Sequence, residues 1–161
     1  GICTTWVFDH LKEGQPVNFS GPYGEFYLSE TAAPIICIAG GSGMAPIRSI
    51  LRDMLEKNIQ RETYYFFGAR TQRDLFYLEE LRSLEKELPL FKFIPALSAE
   101  PLDSGWKGER GKITDVVAQY FPDCSRHEAY LCGSPGMIDA CVAVLTKAGM
   151  PEEKIFYDKF A

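Results

Sequence analysis

Residues 34–46 read Pro34-Ile35-Ile36-Cys37-Ile38-Ala39-Gly40-Gly41-Ser42-Gly43-Met44-Ala45-Pro46. The apolar run from Pro34 to Ala39 suits a short strand covered on both faces. Glycines follow, and then Ile47, Ile50, Leu51, Met54 and Leu55 recur at helical spacing over residues 45–57. A strand, a glycine turn and a helix in this order form a cradle for phosphate. Glycines let backbone N–H groups approach a pyrophosphate, and the helix start adds partial positive charge. Pro46 suits a first helical turn, where its missing N–H costs nothing. A kinase-type phosphate loop is excluded, because Gly-Lys-Ser/Thr is replaced by Gly43-Met44-Ala45.

Downstream, the same alternation continues. Glu62 to Phe67 is rich in β-formers, and Leu75, Leu78, Leu81, Leu84 and Leu88 make a second helical stripe with Glu79, Arg82 and Lys86 on its wet side. Leu90 to Leu97 is strand-like, Ile113 to Phe121 suits a short helix, and Glu128 to Leu131 a strand. Pro135 to Ala148 reads as a helix with Pro at its start and Gly149 at its end, and Ile155 to Asp158 as a last strand. Five strands alternating with helices predict an α/β fold: a doubly wound five-stranded parallel sheet with right-handed crossovers, in the order 3-2-1-4-5. Its ligand crevice lies at the switch point, at the carboxyl ends of the first and fourth strands. Those ends carry Gly40-Gly41-Ser42-Gly43 and Cys132-Gly133-Ser134-Pro135, so two glycine-marked turns face each other. The loop 98–111, with Pro101, Gly105, Gly108 and Gly111, is long.

Upstream, residues 1–33 break the rhythm. Turns at Lys12-Glu13-Gly14-Gln15 and Gly21-Pro22-Tyr23-Gly24 flank short strand candidates at Val17–Phe19 and Glu25–Leu28. We expect residues 1–33 to be the end of an upstream β domain and residues 34–161 a nucleotide-binding domain. The chain lacks an initiator Met and opens mid-pattern, as a piece of a longer protein does.

Composition narrows the partners. The 161 residues carry 17 Lys plus Arg against 22 Asp plus Glu, a net charge of −5. With a pI near 5.1, that argues against a nucleic-acid or anionic-membrane surface. No apolar run approaches the ~20 residues of a membrane span, and no secretory leader is visible. The five cysteines, at 3, 37, 124, 132 and 141, form no Cys-x-x-Cys pair, so we expect free thiols in a reducing compartment and no metal site. The second strand ends Phe67-Gly68-Ala69-Arg70, without the ribose-binding acid of the ordinary dinucleotide fold, which also weakens a methyltransferase reading. The glycine loop holds no nucleophile elbow. His10 and His127 lack partners at ligand spacing.

Several segments, in order, resemble the pyridine-nucleotide module of the ferredoxin–NADP reductase superfamily. They are Gly1-Ile2-Cys3-Thr4-Thr5, Gly21 to Phe26, Gly40 to Pro46, Phe67 to Arg70 with Asp74 to Tyr77, and Tyr130-Leu131-Cys132-Gly133-Ser134-Pro135-Gly136-Met137. Trp106-Lys107-Gly108 and Tyr157-Asp158-Lys159-Phe160 are similar to NADH-dependent members: the corresponding component of the sodium-translocating NADH:quinone oxidoreductase and reductase components of multicomponent oxygenases.

The resemblance implies NADH/NAD and FAD as cofactors. A hydride would pass from NADH to FAD and then, as single electrons, to an iron–sulfur centre, quinone or oxygenase. It implies that residues 1–33 are the tail of a flavin-binding β-barrel and that the partners are an upstream flavin domain and an electron-acceptor domain or subunit. A 2Fe–2S centre is allowed in the parent protein and not in this chain. The implied location is cytoplasmic, with the parent allowed a place on a complex at the inner membrane.

On this resemblance the NAD contacts are Gly40, Gly41, Ser42, Gly43, Met44, Pro46, Gly68, Arg70, Ser98, Glu100, Cys132, Gly133, Ser134, Pro135 and Met137. Cys132 would lie against the nicotinamide. Phe160 would cover the flavin ring, and Cys3, Thr4 and Thr5 would hold FAD. NADH is expected over NADPH. Ala99 stands where NADP-using relatives place Arg, and Glu100 adds a like charge, although Arg70, Lys107 or Arg110 could swing in. Alone, the chain is expected to be inactive as a reductase. Two other readings stay open: a nucleotide-sensing domain without turnover, and the reductase half of a flavohaemoprotein-type dioxygenase.

Overall fold

The computed structural model describes residues 1–21 and 23–159. Strand β1, Ile35–Gly40, is the centre of the sheet, and its residues 35–39 are wholly buried. That follows from its sequence, which puts an apolar side chain on both faces of the pleat. Its alternate residues feed two cores. Ile35, Cys37 and Ala39 meet helices α2 (Met44–Glu56) and α3 (Leu78–Glu87), while Ile36 and Ile38 meet α4 (Ile113–Tyr120) and α5 (Pro135–Lys147). The domain is therefore a sheet between two helical layers.

The other strands are β2 (Thr63–Ala69), β3 (Phe91–Leu97), β4 (Glu109–Arg110), β5 (Glu128–Gly133) and β6 (Ile155–Lys159). All pairings are parallel, in the order β4-β3-β2-β1-β5-β6. The five long strands stand in the expected order. The sixth, β4, is two residues at the edge beside Ala96 and Leu97, too short to show an alternation among the glycines of its loop.

Two details depart from the sequence reading. The leucine stripe is split: Gln72–Asp74 forms a single 3₁₀ turn closed by a reciprocal Thr71–Asp74 cap, and α3 begins only at Leu78. Tyr77 before it is left-handed (φ 57°), with the Arg48 guanidinium 5.0 Å over its ring. Second, the short strands expected at Val17–Phe19 and Glu25–Leu28 are not formed. A strand needs a neighbouring edge to satisfy its N–H and C=O groups. Among the described residues, those from 12 to 25 find no such edge, and Phe19 is 91% exposed. A helix, α1 (Ile2–Asp9), precedes them and buries none of its residues.

Candidate functional site

The two glycine turns meet at the carboxyl edge of the sheet. A Cβ on Gly43 would lie 2.1 Å from the Cys132 carbonyl oxygen, so α2 starts directly against the backbone that ends β5. A Cβ on Gly133 would lie 2.6 Å from Met137 Cε and 3.4 Å from the Gly40 backbone. Gly41 is left-handed (φ 55°) with nothing within 4 Å of its missing side chain, so its backbone faces open space. Ser42 beside it is exposed, Met44 is buried in the core, and Pro46 sits in the first turn of α2.

On the α4/α5 side of this edge opens a cleft of about 560 Å³. Of the residues expected to contact NAD, it is lined by Gly41, Gly68, Arg70, Ser98 and Met137. Ile113 forms its floor, 3.1 Å from where a Cβ on Gly68 would stand, so a side chain at 68 would push α4 away. Lys112 and Thr114 at the start of α4, and Gly136 and Ala140 on α5, complete the wall, together with Asp74 and Gly111. Sequence reasoning expected this helix at Ile113 but did not assign its start to the site. Its signal was Gly111-Lys112 directly ahead of the stripe Ile113, Val116, Val117; Gly111 has a positive φ of 112° and donates its N–H to the Leu97 carbonyl at 2.9 Å.

The cleft has a positive lining in an acidic protein. Among the described residues, neither Arg70 nor Lys112 forms an ion pair. Asp74 is already engaged: the Thr71 N–H donates to its carboxylate at 2.8 Å, and that bond, then the Thr71 hydroxyl, holds its pKa below the usual range.

Glu100 stands at the rim and not in the lining. It accepts from the Gln72 side-chain amide at 2.6 Å and then from the Gln72 backbone N–H at 2.9 Å, which depresses its pKa and ties the loop after β2 to the loop after β3. Arg110 cannot swing freely, because its guanidinium donates to the carbonyls of Glu100, Pro101 and Trp106. Lys107 is exposed outside the lining.

Cys132 occupies the other face. Along β5, Ala129 and Leu131 belong to the α4/α5 core and Tyr130 to the α2/α3 core, so alternation turns Cys132 to the α2 side. Its thiol is buried. Burial, with Asp158 adding to it and a bond to the Gly133 backbone opposing, pushes its pKa up to about 11. It is a neutral thiol at pH 7, not a nucleophilic thiolate. Ser134 stands at the N-cap position of α5 with extended backbone and no side-chain capping bond, and Pro135 takes the first helical position. Cys3, Thr4 and Thr5 lie exposed on α1, and Phe160 is outside the described residues.

Residues 37–143, from the middle of β1 into α5, match the family model described as the oxidoreductase NAD-binding domain. The chain belongs to this family. Relatives of the NAD-binding domain place it within the ferredoxin–NADP reductase superfamily. It is 39% identical over 161 residues to the xylene/toluene monooxygenase electron transfer component of Pseudomonas putida, covering 99% of this chain and 46% of that protein. It is 38% identical over 165 residues to a component of the Na(+)-translocating NADH-quinone reductase of Psychrobacter cryohalolentis, covering 99% and 40%. Among solved structures, the chain superposes on the Amycolatopsis cytochrome P450 reductase GcoB with a TM-score of 0.86 and 32% identity, over 98% of this chain and 47% of that one. The chain thus spans about half the length of the curated relatives it matches.

Proposed function

We propose that this chain is the NADH-binding half of a flavin-dependent reductase that passes electrons to a partner domain or subunit. The observation that carries this reading is the arrangement at the sheet edge. The glycine turns bring bare backbone to the edge, the positive cleft opens on one face, and Cys132 lies on the other. An extended dinucleotide fits by straddling the edge. Arg70, Ser98, Lys112 and Thr114 would hold its adenosine end, Gly41 to Gly43 its pyrophosphate, and Cys132 and Gly133 its nicotinamide.

The face that holds Cys132 also carries the N-terminal segment, where Phe26 and Leu28 pack on the α2/α3 core. The chain ahead of this packed segment then belongs to the flavin side, with Thr4 and Thr5 as candidate phosphate contacts on α1 and Phe160 as a candidate cover for the ring. The flavin ring needs walls that these residues do not supply, so FAD would be held chiefly by an upstream domain. Reduced nicotinamide, when bound, supplies a hydride. The protein's own part is to hold the two rings in line and to keep water out. The neutral Cys132 thiol suits that part, since it would lie against a ring without adding charge. The family resemblance extends the proposal to an oxygenase, quinone or iron–sulfur acceptor and to a cytoplasmic location. No helix among the described residues is long and apolar enough to cross a membrane.

The test is stopped-flow reduction of the flavin by NADH in the full-length protein. Cys132→Ala should lower the limiting rate about 100-fold while changing the NADH dissociation constant little, because misplacement by about 1 Å suffices for that loss. An unchanged limiting rate would leave Cys132 as a packing residue. A full-length protein whose flavin NADH does not reduce would sink the reading as a whole.

A further inference from the structure

At the end of the sheet opposite the cleft lies a buried polar cluster that nucleotide binding does not use. Arg61, just before β2, and Glu128, the first residue of β5, are 8% and 2% exposed and form an ion pair. Two charges this deep are costly unless nearly all their hydrogen-bonding capacity is met. Here it is met by a stretch of chain that precedes the sheet. The hydroxyls of Ser29 and Thr31 donate to the two Glu128 oxygens at 2.6 and 2.7 Å. Arg61 donates to the Ser29 carbonyl at 3.1 Å and to the Ala33 carbonyl at 2.9 Å. The Ser29 N–H donates to the Tyr130 hydroxyl at 2.8 Å, and that hydroxyl donates to Glu128 at 2.9 Å. Phe26 closes the cluster by an edge contact to the Tyr130 ring, which stacks in turn on Phe156.

The chain before Phe26 behaves differently. Among the described residues, every hydrogen bond made by residues 1–24 is to a neighbour within the same segment. Gly24 has a positive φ of 95° and nothing within 4 Å of its missing side chain, and Tyr23 is 83% exposed.

We propose that Arg61 and Glu128 are positioning residues, which lock Ser29–Ala33 to the amino end of the sheet so that any swing of the flavin-side half occurs at or before Gly24. This rests on the reading of the chain as the NADH-binding half of a reductase. The clamped segment enters β1 directly, and the other end of β1 is the Gly40 turn. Six residues of strand, about 20 Å, separate the clamp from that turn, so a tilt of the flavin-side half about the clamp by about 3° would displace a ring beside the turn by about 1 Å. A clamp at its base therefore sets whether two rings held by the two halves align. The working boundary between the halves then lies near Gly24, not at the composition break after Ala33.

The experiment uses the full-length, flavin-loaded protein and two measurements on the pair Ser29→Ala, Thr31→Val and on Arg61→Lys. Both Ser29 and Thr31 lie near the surface, so the pair removes clamp bonds without stranding a new charge. Hydrogen exchange should show the Ser29 amide protected in the wild type, the Gly24 amide unprotected, and Ser29 protection lost in the pair. Stopped-flow flavin reduction should show the limiting rate about tenfold lower in the pair, with the NADH dissociation constant unchanged within about twofold. Arg61→Lys, which keeps the charge and loses the fork, should fall between. A wild-type Ser29 amide that exchanges as fast as Gly24 overturns the clamp whatever the flavin does. Lost protection with an unchanged limiting rate overturns the positioning role. A rate and an affinity for NADH that fall together do so too, since they indicate damage to the domain. A wild type whose flavin NADH does not reduce overturns instead the functional reading on which the positioning role rests.

Discussion

Gly43 and Gly40 look alike in the sequence and differ in what surrounds them. A methyl group on Gly43 would meet the Cys132 carbonyl at 2.1 Å, and backbone inside a parallel sheet cannot yield. A methyl group on Gly40 would meet Met137 Sδ at 2.8 Å, the end of a flexible side chain. We therefore expect Gly43→Ala to cost stability at the upper end of the about 1–3 kcal/mol typical of overpacking, and Gly40→Ala about 1 kcal/mol or less. Urea midpoints at constant slope would check this, and equal losses would show that α2 can shift off β5.

At the scale of elements, we expect the loops after β2 and β3 to set which nucleotide is favoured. The strands stay joined past their ends, since the Ser98 and Ala99 N–H groups donate to the Ala69 and Arg70 carbonyls, and the Gln72–Glu100 bonds extend the seam. This keeps a carboxylate at the rim beside Ala99, and Arg110 is occupied within its own loop. A 2′-phosphate would approach that carboxylate without an Arg fork to receive it. Arg70 and Lys112 in the cleft soften the discrimination. We expect NADH to be preferred about tenfold in kcat/KM, a difference of about 1.4 kcal/mol. The double variant Ala99→Arg, Glu100→Gln should narrow the ratio. Equal use of both nucleotides by the wild type would show that the two cleft cations dominate.

For the whole molecule, the buried pair at the base of the sheet links folding to pH. Burial alone would raise the Glu128 pKa, but bonds from Ser29, Thr31, Arg61 and Tyr130 outweigh it and hold the carboxyl below the usual range. Cys37, also buried against this pair, stays a neutral thiol, its pKa pushed up by burial. A carboxyl lowered in the folded state contributes stability above its unfolded pKa of about 4.3, and loses it as pH falls through the folded value. Denaturant midpoints should therefore drop between pH 5 and the acid limit. Glu128→Gln should flatten that slope and cost about 3–5 kcal/mol at pH 7, because Arg61 is left buried and unpaired. A variant with the wild-type acid slope would place the titrating group elsewhere.

The family was legible in the resemblance of its ordered segments, and the order of the five long strands and the meeting of the glycine turns in the chain's own pattern. Each rests on local signals: apolar runs with a period of two or none, helical stripes, and glycines at strand ends. These report which face of an element is buried and where backbone must come close. What the tertiary structure decided involves residues far apart in the chain. Lys112 and Thr114 join Arg70 and Ser98 only because α4 folds back under Gly68. Cys132 and the cleft fall on opposite faces because of the phase in which β5 enters the sheet. Val17–Phe19 and Glu25–Leu28 have strand-like sequences and form no strand, since pairing needs an edge that local sequence cannot supply. Nothing local marks Arg61 and Glu128 as partners; they meet because β2 and β5 start on either side of β1. Their meeting across 67 positions is a product of topology, and no local pattern of residues encodes it.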